Sequence, residues 1–245
     1  MHDLPLLPGA EPLSFRGSSD GVLVIHGFTG SPQSMRPISE ACMTLGCSVE
    51  MPLLPGHGTS VNEMKKTNWG DWSSHVEKTY LELSQHCERV FVVGLSMGGT
   101  LALWLASLYP KISGLVAINS SARPSPKMLK AVNEMLSSGV TEIDGVGNDI
   151  AKPGVVELAY EKTPLEPLRS LLKAEAQIDL SLINCQTIIY YSEQDHVVPK
   201  DTSPYIAKRL GGSNLLVPLL NSYHVATLDF DSEIIINGVL SMISS

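Results

Sequence analysis

Ten residues constrain this chain more than any other stretch: Phe91-Val-Val-Gly-Leu-Ser-Met-Gly-Gly-Thr100. The apolar run Val90 to Val93 stops at Gly94, and helix-forming residues resume at Met97 and continue from Leu101 through Ala106. That order reads as strand, sharp turn, helix. Between the two sits Gly94-Leu95-Ser96-Met97-Gly98, a G-x-S-x-G pattern that holds a serine on a strained turn with small residues on both sides. A Cβ at either glycine would collide across so tight a turn. A linker serine between two chance glycines lacks both the buried strand before it and the buried helix after it, so the pattern and its context together point the Ser96 hydroxyl into a cleft.

The same alternation runs along the chain. Pro5, Pro8 and Pro12 precede a short edge strand at Leu13 to Phe15, and Val22-Leu-Val-Ile25 is a continuous apolar run of the kind that fills a parallel sheet buried on both faces. Ser31, as cap, and Pro32 open a helix reaching Leu45. Cys47 to Met51 forms a strand, Trp69 to Gln85 a helix on the spacing of Trp72, Val76, Tyr80 and Leu83, and Gly114 to Ile118 a buried strand. Residues 121–180 then hold no strand-like run but two helical stripes, Met128-Leu129-Val132-Met135-Leu136 and Leu165-Leu168-Leu171-Leu172. The sheet resumes at Thr187 to Tyr191, with a helix at Ser203 to Leu210, a strand at Leu215 to Pro218 and a closing helix at Glu233 to Met242. This predicts a mostly parallel, doubly wound α/β core (residues 1–120 and 181–245) with a helical insertion at 121–180, ahead of the strand that precedes Asp195.

Composition removes several function classes. A net charge of −8 without a basic cluster argues against a nucleic-acid partner, since neutralising phosphates requires a positive face. No run approaches the length of a membrane span, and the N-terminal residues lack the basic start and apolar core of a secretion signal, which predicts a cytoplasmic protein without membrane insertion. Cys42, Cys47, Cys87 and Cys185 lack C-x-x-C spacing and read as reduced core thiols. The histidines show no H-E-x-x-H spacing and no G-x-x-x-x-G-K-[ST] loop occurs, so neither a metal nor another cofactor is expected.

A serine hydroxyl needs a base within hydrogen-bond reach, and the base needs a group that fixes its tautomer. Loops at the carboxyl ends of parallel strands converge on one rim. Asp195 follows the strand ending at Tyr191 and His224 the strand ending at Pro218, giving the chain order Ser, Asp, His. Glu193 is the alternative acid. His2, in the tail, His75 and His86, on a helix, and His196, abutting the acid, are worse placed. His26, at a strand end, and His57, between two glycines, read as residues that tie loops down. An oxyanion needs two backbone donors; the Met97 amide, at the start of its helix, and the Phe28 amide, after the first buried strand, are the candidates, while the Phe28 ring is free to pack.

Five separated blocks, His26-Gly-Phe-Thr-Gly30, Gly56-His-Gly58, Gly94-Leu-Ser-Met-Gly-Gly99, Asp195-His-Val-Val-Pro199 and Asn221-Ser-Tyr-His-Val-Ala-Thr-Leu228, resemble in order the bacterial monoacylglycerol lipases and related small carboxylesterases of the α/β-hydrolase superfamily. The likeness runs through nearly the whole chain. It implies an eight-stranded sheet with a small helical cap, a monoacylglycerol as the small-molecule acyl ester substrate, and triad roles for Ser96, Asp195 and His224 with the Phe28 and Met97 amides as oxyanion hole. It also implies that Glu157, in Glu157-Leu-Ala-Tyr-Glu-Lys-Thr-Pro164, hydrogen-bonds the glycerol hydroxyls, and that Val146 lines the same pocket. The bland alternative for Glu157 is a solvated residue of the cap. Met128, Met135 and Leu136 are candidates for an acyl tunnel or for plain packing onto the sheet. The chain departs from the family most at Pro124 to Val140. Two further readings stand beside monoacylglycerol hydrolysis: a broad short-chain carboxylesterase without a glycerol requirement, and a catalytically silent ligand receptor on the same fold.

Overall fold

Strands form where the sequence offers short β-branched runs apolar on both faces. The computed structural model describes residues 5–245; His2 and the first residues of the N-terminal reading lie outside them. The strands are β1 (Leu13–Phe15), β2 (Asp20–Ile25), β3 (Ser48–Met51), β4 (Arg89–Leu95), β5 (Gly114–Ile118), β6 (Glu142–Asp144), β7 (Lys162–Pro164), β8 (Gln186–Ser192) and β9 (Asn214–Leu219). Seven of them make one sheet in the order β1-β3-β2-β4-β5-β8-β9, antiparallel only between β1 and β3. Leu95 pairs with Ile118 and Ile118 with Tyr190, so β4 and β5 end level with one another and β8 runs two residues further, to Ser192.

Eight strands were expected from the family likeness; among the described residues this sheet has seven. At the β1 edge, Pro5, Pro8 and Pro12 cannot donate to a ladder, and the segment instead folds into a turn in which the Leu7 amide donates to the Gly58 carbonyl at 2.8 Å.

The helices are α1 (Arg36–Thr44), α2 (Val61–Met64), α3 (Trp69–Ser84), α4 (Met97–Leu108), α5 (Pro126–Ser137), α6 (Leu165–Glu175), α7 (Thr202–Ala207) and α8 (Ser232–Ser244). Successive strand residues face opposite ways. Leu23, Val92 and Leu115 therefore pack with Trp72 and Val76 of α3 and Leu101 and Leu105 of α4, while Val22, Val93 and Val116 pack with Ile38 of α1 and Ile235 and Val239 of α8. Helix α4 is sunk deepest, with Leu101, Leu103 and Leu105 fully buried, and truncating one of them to alanine is expected to cost about 2–5 kcal/mol.

Helix starts differ in how they are secured. Asn68 caps α3 through the Gly70 amide while Asp71 accepts from the Asn68 amide, a reciprocal pair. Ser31 does not act as the expected cap: Pro32–Met35 is a single 3₁₀ turn, the Ser31 hydroxyl makes no capping bond, and α1 begins only at Arg36.

The insertion also departs from expectation. Between α5 and α6 lies an antiparallel pair, β6 with β7, which the three-residue, largely polar sequences Glu142-Ile-Asp144 and Lys162-Thr-Pro164 did not announce. A Lys162–Asp144 ion pair crosses it. Leu129, Val132, Met135 and Leu136 of α5 close on Leu165, Leu168 and Leu172 of α6 in a small cluster of their own, and Met128 is exposed. Packing onto the sheet does not describe Met135 and Leu136: their partners are on α6.

Candidate active site

Ser96 joins β4 to α4 with φ 55° and ψ −119°, a conformation non-glycine residues seldom take. Its glycine neighbours make the turn possible. A Cβ on Gly94 would lie 2.2 Å from the Gly98 carbonyl oxygen, and one on Gly98 would lie 2.2 Å from that of Ile25. The Ser96 amide donates to the Ile118 carbonyl at 2.8 Å, which ties the turn to the end of β5. Since α4 starts at Met97, the amide of that residue opens the helix and carries the partial positive charge of its N-terminus.

The loop after β2 lies against this turn. A Cβ on Gly27 would stand 3.5 Å from that of Ser96, so the loop carrying Phe28 begins against the serine turn. Thr29 has φ 60° and donates its hydroxyl to the Phe28 carbonyl at 2.6 Å. The Phe28 ring turns away and meets Trp72 edge-on, with centroids 5.8 Å apart.

His26 and His57 sit under this loop. His26 Nδ1 donates to the Gly27 carbonyl at 3.0 Å, and Nε2 accepts from the Leu54 amide at 3.1 Å, which fixes one neutral tautomer. Burial, with His57 close by, holds its pKa well below the usual imidazole value. His57 donates from Nδ1 to the Pro55 carbonyl at 3.0 Å, and burial lowers its pKa to about 4. Both rings hold loops in the neutral form.

Across the rim, Asp195 accepts from the amides of Val197 (2.7 Å) and Val198 (2.8 Å) through Oδ1, and from His224 Nδ1 through Oδ2 at 2.9 Å. The donating Nδ1 leaves His224 Nε2 as an acceptor. His224 is 8% exposed. Burial alone would lower its pKa, but the hydrogen bond and charge of Asp195, with the charges of Glu157 and Asp149, reverse this and raise it above the ordinary imidazole value. Glu193, the alternative acid, faces Lys200 at 3.9 Å instead. His75 lies on α3 and His86 just beyond it, while His196 pairs with Asp149 at 2.7 Å.

Glu157 comes from the insertion. Its Oε1 lies 2.8 Å from where a Cβ on Gly30 would be, so the carboxyl rests on the loop that also carries Phe28. Burial raises its pKa, and His224 and the nearby Ser34 hydroxyl pull it back only in part. The residue is half-buried. Val146, by contrast, is 62% exposed and does not line a pocket with Glu157. The β6–β7 ladder extends to the Gly145 amide and Glu161 carbonyl (2.8 Å), and the Gly147 turn at φ 79° leaves Val146 outside.

Residues 21–146 match the model of the alpha/beta hydrolase fold family. The chain is also 43% identical over 242 residues to a thermostable monoacylglycerol lipase from Bacillus sp. (strain H-257), covering 96% of this chain and 95% of that protein. It belongs to the α/β hydrolases. A second relative of this hydrolase, a carboxylesterase from Bacillus subtilis (strain 168), is 26% identical over 236 residues, 92% of each chain. Among solved structures, one from a study of two metagenome-derived lipolytic enzymes, LipS and LipT, superposes with TM-score 0.94 at 40% identity, covering 98% of this chain and 99% of that one. A monoacylglycerol lipase from Paleococcus ferrophilus shares the fold, with TM-score 0.78 at 16% identity over 96% and 99% of the chains.

Two residues of this α/β hydrolase escaped the sequence reading. Asn119, with φ 44°, directly follows β5; its amide donates to Ser192 Oγ (3.0 Å) and the His224 carbonyl (2.7 Å) and accepts from the Ser192 amide (2.7 Å). Its place at the carboxyl end of a central strand was the available signal. Asp149 accepts from the His224 amide at 3.0 Å, and nothing in its sequence surroundings marks it. Among the described residues no group of three or more His, Cys, Asp or Glu side chains is placed to hold a metal ion, and no helix is long and apolar enough to cross a membrane.

Proposed function

We propose that the chain is a serine ester hydrolase that cleaves monoacylglycerols to fatty acid and glycerol through an acyl-enzyme on Ser96. The observation that supports this reading is the 2.9 Å Asp195–His224 pair, whose imidazole loop is tied through Asn119 to the end of β5, the strand end where Ile118 also holds the amide of the strained Ser96.

Ser96 Oγ attacks the ester carbonyl carbon as His224 Nε2 takes its proton. Negative charge on the carbonyl oxygen is met by the Phe28 and Met97 amides, fixed in place before substrate arrives. Collapse breaks the bond to the glycerol oxygen, which leaves with the proton from His224. Water then gives a proton to the same nitrogen and attacks the acyl carbon, releasing the fatty acid and restoring the serine. Asp195 holds the imidazole in the required tautomer throughout.

The glycerol part of the reading rests on Glu157. A half-buried carboxyl is costly to leave unpaired when substrate shuts out water, so a pocket built around one favours an alcohol with free hydroxyls over an analogue without them. The likeness to the Bacillus monoacylglycerol lipase supports the same substrate class. Unbridged thiols at Cys42, Cys47, Cys87 and Cys185 fit a reducing, cytoplasmic setting.

Labelling by an organophosphonate, located by mass spectrometry, tests the nucleophile. A Ser96 adduct that disappears in Ser96→Ala is expected, and an unlabelled chain would revive the silent-receptor reading. A panel of mono-, di- and triacylglycerols and an aryl ester of the same acyl chain, run on native protein and Glu157→Ala, tests the substrate. The ratio of kcat/KM on monoacylglycerol to that on the aryl ester should fall by about 10-fold or more; an unchanged ratio favours the broad carboxylesterase.

A further inference from the structure

Asn148 and Asp149 are consecutive, yet their side chains bond in different directions. Asn148 Oδ1 accepts from the Glu157 amide and Nδ2 donates to the Val155 carbonyl, both at 2.8 Å, as a neighbouring strand would. On the other edge of that segment, Gln33 Nε2 donates to the Val156 carbonyl and Oε1 accepts from the Leu158 amide, both at 3.0 Å. Residues 155–158 belong to no sheet. Two side-chain amides hold this segment in place, and Glu157 lies within it.

Asp149 bonds toward the rim. Its Oδ2 accepts from the amides of His224 (3.0 Å) and His196 (3.3 Å), its Oδ1 from His196 Nδ1 (2.7 Å), and its carbonyl from the Val225 amide (3.1 Å). A closed circuit results. Asp195 holds the His224 ring, the His224 backbone is held by Asp149, Asp149 holds His196, and His196 is peptide-bonded to Asp195. Burying a carboxylate costs free energy that needs several charge-assisted bonds to offset. This one is 9% exposed and spends its bonds on the two loops that set the base and its acid.

We infer that Asn148-Asp149 is the joint through which the insertion positions both halves of the active site. Asp149 is a positioning residue for His224 and Asp195, and Asn148, with Gln33, is a positioning residue for Glu157; the second part rests on Glu157 recognising the alcohol.

The test uses the full chain with Asp149→Ala, Asp149→Asn, Asn148→Ala and Glu157→Gln, active sites counted by phosphonate titration. Asp149→Ala should lower kcat per active site by about 10²-fold on both the aryl ester and the monoacylglycerol, with KM little moved. Asp149→Asn keeps an oxygen for the two amides and should recover part of kcat. It should also shift the acid limb of kcat/KM to lower pH, because of the three carboxylates facing His224 (Asp195, Glu157 and Asp149) one has lost its charge. A variant that only loses thermal stability, with native kcat per active site and an unmoved limb, overturns the Asp149 half. Asn148→Ala should lower the monoacylglycerol-to-aryl-ester ratio of kcat/KM by about 10-fold, as Glu157→Gln does. If Glu157→Gln lowers the ratio and Asn148→Ala does not, the Asn148 half is wrong and the Glu157 reading stands. If neither does, both of those fail, while the Asp149 half is still decided on the aryl ester.

Discussion

The side-chain amide of Asn119 donates to the backbone carbonyl of His224 at 2.7 Å, joining the end of the central strand β5 to the loop that carries the candidate base. The same side chain exchanges two bonds with Ser192, three residues before Asp195, and the residue before it accepts from the Ser96 amide. Three loops far apart in sequence are thus referred to one strand end. Replacing Asn119 with alanine removes these bonds and places a β-carbon residue less tolerant of φ 44° there. The expected loss is about 2–4 kcal/mol, read as a melting temperature roughly 5–15 °C lower, with a fall in kcat per active site. An unchanged melting curve and kcat would remove Asn119 from its place as the rim's common anchor.

Asp195→Asn separates charge and tautomer from fold. An asparagine oxygen can still accept from the Val197 and Val198 amides, so stability should change little. Its NH₂ group then donates to His224 Nδ1 and leaves the proton on Nε2, where it cannot serve as a base. kcat should drop about 10³- to 10⁴-fold, and a drop below about tenfold would argue that another acid, Glu193 first, does this work.

The pH dependence of kcat/KM should have an acid limb above the ordinary imidazole value of 6.5, because Asp195, Glu157 and Asp149 together overcome burial at His224. Only the neutral ring can take the serine proton, so activity rises as pH passes upward through that limb. Glu157→Gln removes one negative charge and should move the limb to lower pH. An unmoved limb would mean that Glu157 is already protonated where the limb lies.

Gly94→Ala brings a methyl group to 2.2 Å from a backbone oxygen that cannot retreat without unwinding the first turn of α4. A loss of more than about 3 kcal/mol is expected, checked by urea unfolding of whatever soluble protein is obtained. A native midpoint would show that the turn is looser than its geometry implies.

Acid should weaken the fold through His57. The unfolded chain binds a proton near 6.5 and the folded one only near pH 4, so stability is whole above the first value and drains away as pH falls to the second. The loss is on the order of 3 kcal/mol. His57→Gln should flatten the plot of melting temperature against pH between neutrality and that range, and parallel plots would discount the effect.

Much of this was legible in the sequence because the signals were local. The elbow announces itself through two glycines and a serine between an apolar strand and an apolar helix, and Asp195 and His224 through their position just after strands. What could not be read depends on side chains meeting at a distance. Asn119 and Asp149 look like ordinary polar loop residues until His224 is set against them. Glu142-Ile-Asp144 and Lys162-Thr-Pro164 are short and largely polar, which hid β6 and β7. Val146 was misplaced because a position in a family likeness says nothing of a glycine turn that swings one residue outward. The stripe on α5 was apolar as expected, but periodicity cannot name the partner it packs against.

The order of the sheet bears on what happens while the chain is being made. Its first 118 residues already form the contiguous block β1-β3-β2-β4-β5, complete with the serine elbow and both candidate amide donors. The candidate acid and imidazole arrive only with the loops after β8 and β9. A chain cut before β8 therefore carries the strained serine turn without either residue proposed to activate it, and on that assignment a fragment ending there would be unable to hydrolyse an ester.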